Sequence, residues 1–257
     1  RYGNPIRQNA PPFLKLPTPE IEAKIKKLND QIKSISDQQT ALMGKATNGL
    51  GEWVKGLSKP LVWNAAEILA ASGGDAPPKI NATTKTVEVG PQETRANTIK
   101  MNLRLPKGAI TALQIEFATQ AAGAGFQWSE FKVFKPAGKD AKRLPLKLKA
   151  VAAGDSLASI ETAKLLDNDR KTRVAVAVKP SVKVLGSFEF AEALVIDESN
   201  PALEIELSVE NANGPSLLRI LTTNANAELL VPSNLTNIAS KEESKRTPAE
   251  KKTLADF

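Results

Sequence analysis

Through the middle of the chain, apolar residues alternate with polar ones, which is the period of a half-buried β-strand. Turn-forming stretches such as Pro106-Lys107-Gly108 separate the alternating segments, and no segment repeats another. The clearest alternating segments are 99–105, 113–117, 144–148, 174–178 and 203–209. The pattern predicts a mainly β fold, an antiparallel β-sandwich, over residues 59–235.

The residues before this sandwich have a helical period instead. Thr18 suits the N-cap position and Pro19 the first helical position. Residues 1–58 are therefore predicted to form an extended segment followed by a helix or a helical hairpin. In the hairpin, residues 48–51 would break the helix before a second arm around residues 52–57. The helix's apolar positions are separated by alternating steps of four and three residues: Ile21, Ile25, Leu28, Ile32, Ile35 and Leu42. Gln39 occupies the one position of this series that is not apolar. We expect this face to pack within the protein or against a neighbouring domain, and a short coiled coil is the alternative.

The end of the chain contains a strong helix start. Thr247, Pro248 and Glu250 form a capping box with proline at the first helical position. Residues 236–257 are therefore predicted to be a linker and the start of a C-terminal helix. Because a helix that starts so well has so few residues after it, we expect the chain to be a piece of a larger protein. Its first partners would then be the flanking domains of the same polypeptide.

The composition excludes several kinds of catalytic and metal-binding site. The chain has no cysteine and no histidine, which excludes thiolate zinc sites, cysteine nucleophiles and the imidazole base of hydrolytic triads. No feature of the sequence nominates a pair of carboxylates for acid–base work, so we do not expect an enzyme. No apolar run approaches the roughly 20 residues that span a bilayer, so we do not expect membrane insertion.

Positive charge is concentrated in one stretch of a chain whose net charge is +7. Between residues 132 and 149 the only acidic residue is Asp140, and the basic residues are Lys132, Lys135, Lys139, Lys142, Arg143, Lys147 and Lys149. These side chains are either the solvated face of strands or a contact surface for a polyanion. Under the second interpretation, Lys139, Lys142 and Arg143 are candidate ligand-binding residues. Nucleic acid is not expected, because aromatic residues are not interleaved and no recognition motif is present.

Three tryptophans are candidates for stacking on sugar rings: Trp53, Trp63 and Trp128. We expect Trp63 to lie in the core and Trp53 to anchor the N-terminal helices. Trp128 is the one predicted to be exposed, and it is therefore a candidate ligand-binding residue. The neighbouring Glu130 stands among apolar residues, so we expect a structural role in which it bonds to a nearby loop.

Several features together resemble one family. Residues 1–17, the lysine-rich helix and Pro60-Leu61-Val62-Trp63 resemble the region between two conserved domains of unknown function in large planctomycete-type proteins, which often carry a cytochrome c domain. The stretch 125–131, GFQWSEF, is similar to the G-N-F-x-L-[ST]-E signature of that family, although Trp128 replaces an aliphatic residue. The resemblance implies a jelly roll of the galactose-binding or discoidin type. It also implies a bacterial protein that is secreted, periplasmic or on the cell surface.

A second resemblance concerns an acidic turn. Residues 166–172, LDNDRKT, are similar to the D-G-x-x-x-T turn of discoidin-type modules, with Asn168 where glycine is usual. In those modules the turn often helps to hold a structural calcium ion. The resemblance therefore implies Asp167 and Asp169 as candidate calcium ligands, and no other cofactor. An ordinary turn held by side chain to backbone hydrogen bonds is the alternative.

These observations favour a non-catalytic binding module of a larger secreted protein. Carbohydrate is the expected ligand, with an anionic polysaccharide as the more specific expectation. The alternative is an architectural module that positions the flanking domains or binds another protein.

Overall fold

A computed structural model describes residues 18–92, 97–119, 125–136, 143–157, 159–177, 183–198, 202–210 and 216–257. The chain divides into two compact units, Arg1–Glu52 and Trp53–Phe257. The predicted extended segment 1–17 and two candidate ligand-binding residues, Lys139 and Lys142, lie outside the described residues.

The first unit contains most of one long helix, α1 (Pro19–Leu57), so the predicted hairpin is wrong. Gly49 and Gly51 have no positive φ, so neither adopts the left-handed conformation that commonly ends a helix. A glycine with ordinary helical geometry costs a helix only about 1 kcal/mol, which does not break one of this length. The first of the two predicted arrangements for the apolar face, packing within the protein, is not found, because the side chains from Ile21 to Leu42 lie exposed; packing against a neighbouring domain stays a prediction.

The second unit is the predicted sandwich. In chain order its strands are β1 (Asn64–Ala65), β2 (Glu67–Ser72), β3 (Lys79–Asn81), β4 (Thr86–Val89), β5 (Asn97–Arg104), β6 (Gly108–Thr119), β7 (Gly125–Lys135), β8 (Leu144–Pro145), β9 (Leu148–Val151), β10 (Val174–Ala177), β11 (Val184–Ile196), β12 (Ala202–Glu210) and β13 (Ser216–Thr223). Sheet A has the order β3-β4-β13-β6-β11-β9, with β1 beside β13. Sheet B has the order β10-β7-β12-β5-β2, with β8 beside β7. The named pairings are all antiparallel.

The long strands alternate between the sheets, β5, β7 and β12 in sheet B and β6, β11 and β13 in sheet A. This alternation is typical of a jelly roll, because each connection crosses from one layer to the other. The inward side chains of both layers form one core. The core confirms the predicted alternation, since Ile99, Met101 and Leu103 on β5 are buried while the residues between them are exposed.

Short helices complete the second unit: α2 (Ser159–Ala163), 3-10 turns at Ala227–Leu229 and Glu243–Lys245, α3 (Ser233–Ala239) and α4 (Pro248–Asp256). The capping box of α4 is confirmed, because Thr247 accepts a hydrogen bond from the Glu250 N–H and the Glu250 carboxylate accepts one from the Thr247 N–H. Leu254 of α4 is buried. Residues 236–257 therefore belong to the same compact unit as the sandwich.

Contrary to the prediction, Trp53 does not anchor a pair of N-terminal helices but contacts the C-terminal segment of the sandwich unit. Its indole N–H donates to the Glu228 carbonyl oxygen at 2.8 Å, and its ring stacks on Phe257 with centroids 5.9 Å apart. Among the described residues, no helix has the length and apolar character needed to cross a bilayer.

Candidate ligand-binding groove

Trp128, the predicted sugar-stacking residue, lies in the core with 0% of its surface exposed, so that prediction is wrong. Its ring packs edge-on against Phe117 and Phe188, with centroids 5.0 and 6.0 Å away. The register shifts between Ser208 and Val209, which marks a bulge in β7. As a result, Phe126 and Trp128 point inward before the bulge, and the inward series resumes at Phe131.

Arg143 lies on the outer face of sheet B with its guanidinium already paired. Its Nη1 donates to Glu204 at 3.1 Å and to Glu206 at 2.7 Å, and the guanidinium lies over the Phe134 ring, 4.4 Å from the centroid. The hydrogen bond to Glu206 is the main reason that the pKa of Arg143 is raised. Burial alone would raise the pKa of Glu206, but the hydrogen bonds and charges of Arg143 and Lys100 together outweigh it and the pKa is lowered.

Two other described residues of the basic stretch, Lys132 and Lys149, are also ion-paired, whereas Lys135 and Lys147 have no ion pair among the described residues. Lys132 lies 3.0 Å from Glu130, and Lys149 lies 3.9 Å from Glu189. The predicted structural role of Glu130 is consistent with its burial, although its partners are the side chains of Lys132 and Arg170. Three of the basic side chains in this stretch therefore face carboxylates, and for Arg143 and Lys149 these carboxylates come from other strands.

Asp167 and Asp169 form a turn held by their own hydrogen bonds. Asp167 Oδ1 accepts from the Asp169 N–H at 2.8 Å and Oδ2 from the Thr172 hydroxyl at 2.7 Å, while Asp169 Oδ1 accepts from the Lys171 N–H at 2.9 Å. The bond from Asp169 and then that from Thr172 lower the pKa of Asp167. Asn168 has φ 60°, a conformation that asparagine tolerates better than most residues, which explains how it replaces glycine here.

This donor set does not fit calcium. Calcium takes about six to eight oxygen ligands, and the turn offers two carboxylates, one of which has both oxygens engaged. Within the described residues, no group of three acidic side chains lies together.

A different site is formed on the outer face of sheet A. An open groove of about 760 Å³ lies between the β3–β4 hairpin and the exposed sides of β13 and β6. Small aliphatic side chains such as Ala118 and Leu217 line it together with five charged ones: Lys79, Glu88, Glu116, Lys183 and Arg219. We refer to this site as the groove.

Glu116 is the centre of charge in the groove. Its carboxylate is 2.9 Å from Lys183 Nζ and 4.0 Å from Arg219 Nη1, and only 12% of its side chain is exposed. The pairing register places Arg219 directly opposite Glu116 on the neighbouring strand. The Nε of Arg219 is buried and has no hydrogen-bond partner among the described residues. A largely buried carboxylate with a half-exposed lysine paired to it can both accept and donate hydrogen bonds.

Lys79 and Lys183 leave most of their donor capacity facing solvent. Lys79 is 81% exposed and approaches Glu88 only to 3.8 Å, while Lys183 is 54% exposed. An exposed pair such as Lys79–Glu88 contributes between about 0 and 1 kcal/mol, so a ligand could replace it at little cost. Arg143 on sheet B, with two close carboxylates, is much less available.

The hairpin wall of the groove is pre-formed. Asn81 Oδ1 accepts from the N–H groups of Thr83 and Thr84, both at 3.1 Å, and the hydroxyls of Thr84 and Thr86 are 2.8 Å apart. Lys85 at the tip has φ 53° and donates to the Ala65 carbonyl oxygen, which ties the hairpin to β1. The wall therefore needs little ordering when a ligand binds.

Sequence reasoning missed the groove. Its charged residues come from β3, β4, β6, β13 and the residue before β11, and each looks like an ordinary outward position in its own strand. The two carboxylates lie on strands separated by β13, and each faces a lysine rather than the other carboxylate. The groove therefore offers hydrogen-bonding groups but no acid–base pair among the described residues.

No protein-family model matches the chain, and no curated protein matches it. Solved structures of family 29 carbohydrate-binding modules are similar at low identity. One, from Piromyces equi, is 9% identical with a TM-score of 0.28, covering 65% of this chain and 93% of that chain. Another, a mutant complexed with mannohexaose, is 6% identical with a TM-score of 0.29, covering 68% of this chain and 96% of that chain. At these TM-scores the likeness carries no argument about this protein.

Proposed function

We propose that the sandwich is a non-catalytic carbohydrate-binding module and that a polysaccharide lies along the groove. One observation carries the proposal: an open, pre-formed groove in which charged side chains of the inner strands β6 and β13 lie beside the hydroxyl-bearing β3–β4 hairpin. A sugar hydroxyl is both a donor and an acceptor, so Glu116 and Lys183 can serve the same hydroxyl or adjacent ones. An open groove accepts the middle of a polymer as readily as its end.

An anionic polysaccharide suits the groove better than a neutral one. The groove carries three cationic side chains and two carboxylates, so its charge balance is +1. The two lysines are mostly exposed, and lysine ammonium groups donate charge-assisted hydrogen bonds to sulfate and carboxylate. This support comes from sheet A and replaces the argument from the Lys132–Lys149 stretch, whose described members are largely paired. In line with the sequence resemblance, we place the module in a larger secreted protein.

Affinity gel electrophoresis provides the test, with one sulfated, one uronate and one neutral polysaccharide in separate gels. We expect retardation by the anionic polymers and a clear loss of retardation in Lys183→Ala. Lys107→Ala is the matched control, because it removes an exposed, ion-paired lysine just before the start of β6, at the opposite end of that strand from Glu116. Equal loss in both variants would show a non-specific charge effect.

An architectural module is the alternative. It is favoured by the outer face of sheet B, where Glu206 forms ion pairs with both Lys100 and Arg143. These charges are neutralised within the sheet and are therefore less available to a ligand. Migration unchanged by all three polysaccharides at low salt would support this alternative and contradict carbohydrate binding.

A further inference from the structure

One stripe of aliphatic side chains on the described part of α1 is exposed to solvent, because no other described residue of its unit packs against it. The six are 47–66% exposed: Ile21, Ile25, Leu28, Ile32, Ile35 and Leu42. We refer to this stripe, with Gln39, as the seam. An aliphatic stripe this long marks an interaction surface, because leaving it in water is unfavourable.

The spacing of the seam defines the geometry of the partner. Steps of four and three residues average 3.5, the repeat that keeps one seam facing another helix in a left-handed coiled coil. The repeat is unbroken from residue 21 to residue 42, about three heptads. The first heptad position, a, holds Ile25, Ile32 and Gln39. The fourth position, d, holds Ile21, Leu28, Ile35 and Leu42.

The positions that flank the seam favour a second copy of the same helix. From residue 29 to residue 38 the flanking residues are all uncharged: Asn29, Gln31, Ser36 and Gln38. The charges of this stretch lie instead at positions away from the seam, as in Asp30, Lys33 and Asp37. Over this stretch an identical helix therefore meets no like charge at the flanks, and a charged partner finds no complementary charge there.

Gln39 selects the direction of the pair. In a parallel, in-register pair, each Gln39 faces the other Gln39, and the two amides can hydrogen-bond. In an antiparallel pair an a residue faces a d residue, and every d residue of the seam is isoleucine or leucine. Gln39 would then be buried without a partner, which is unfavourable.

We propose that two copies of this chain associate through the seam as a parallel, in-register, two-stranded coiled coil. Isoleucine at a with leucine at two of the d positions suits two strands, and a single polar a residue sets register at some loss of stability. The proposal concerns α1 alone and does not depend on what the groove binds.

The first test is the molar mass of the full 257-residue chain in solution, measured by sedimentation equilibrium over a wide range of concentration. We expect a dimer that dissociates on dilution. Ile32→Lys places a charge in the seam and should abolish the dimer. Ser34→Lys adds the same charge at an outward position and should leave it intact. Neither variant touches the sandwich core, so both should remain folded.

The second test uses the absence of cysteine from the natural chain. A single cysteine in Gln39→Cys should form an intermolecular disulfide readily under mild oxidation. Leu28→Cys mixed with Gln39→Cys should yield few cross-links between the two different variants. A monomer at all concentrations, a trimer, or preferential Leu28–Gln39 cross-linking would each overturn the proposal.

Discussion

Gly186 lies against the indole ring of Trp128, so close that a β-carbon on residue 186 would come within 2.8 Å of two ring atoms. The ring is held by Phe117, Phe131 and Phe188 and cannot move aside easily. The glycine of β11 and the tryptophan of β7 thus fit together across the two layers of the sandwich.

This contact predicts that Gly186→Ala is destabilising. Overpacking a closed core costs about 1–3 kcal/mol, so the urea midpoint should fall while the slope is unchanged. Gly51→Ala is the control, because nothing lies within 4 Å of the added carbon and the helix should be slightly stabilised. An unchanged midpoint for Gly186→Ala would mean that Trp128 does not pack as described.

The pairing of Arg143 with Glu206 predicts a dependence of stability on pH. The pKa of Glu206 is lowered in the folded chain from its ordinary value of 4.5. Its contribution is therefore present above pH 4.5 and is lost as the pH falls through the lowered folded-state value. Glu206→Gln should flatten the fall in the free energy of unfolding over this acid range. Glu198→Gln, at an exposed ion pair, should not.

Arg143→Ala separates the two candidate binding surfaces. Because its guanidinium joins two carboxylates on sheet B, its removal should lower the free energy of unfolding. It should leave retention on an anionic polysaccharide gel unchanged, whereas Lys183→Ala should reduce it. Loss of retention in Arg143→Ala, with retention kept in Lys183→Ala, would move the binding surface to sheet B.

Salt should weaken binding at the groove steeply. Its exposed lysines are screened over about 8 Å at physiological ionic strength and over less at higher salt. Retention on a sulfated polysaccharide should therefore fall sharply when salt is raised to about 0.5 M. Retention that is insensitive to salt would contradict an electrostatic contribution from Lys79 and Lys183.

Removing calcium should have little effect on folding, because the oxygens of the Asp167–Asp169 turn already accept internal hydrogen bonds. A bound ion with no affinity for the unfolded chain would stabilise by several kcal/mol, about 3–4 at saturating excess. We expect the melting temperature to be the same with and without EDTA. A large drop in EDTA that calcium reverses would restore the resemblance-based prediction.

The parts of the fold that depend on short-range patterns were predictable from the sequence. Alternation along β5 and the capping box at Thr247 are set by residues close together in the chain, so both could be predicted. The continuity of α1 through Gly49 was not, because a cost of about 1 kcal/mol does not decide whether a long helix breaks.

The parts that depend on strand pairing were not predictable. The burial of Trp128 follows from its place before a bulge and from Gly186, which has no side chain to compete with the indole ring for space. Both features depend on the neighbouring strands, which the local sequence does not specify. The groove likewise joins Lys79 to Lys183, which only the order of strands in sheet A brings together. The positive stretch 132–149 was misleading for the same reason, since Glu204 and Glu206 come from another strand.

The seam of α1 has a consequence for avidity. Two chains joined there carry two grooves on one particle, and a polysaccharide repeats its binding epitope along its length. Once one groove is occupied, the second meets the polymer at a high local concentration, which can raise apparent affinity by about 10²–10⁴ with no new contact. Under the two proposals together, a groove of low individual affinity would suffice for firm attachment to a polymer, while short oligosaccharides would be released quickly.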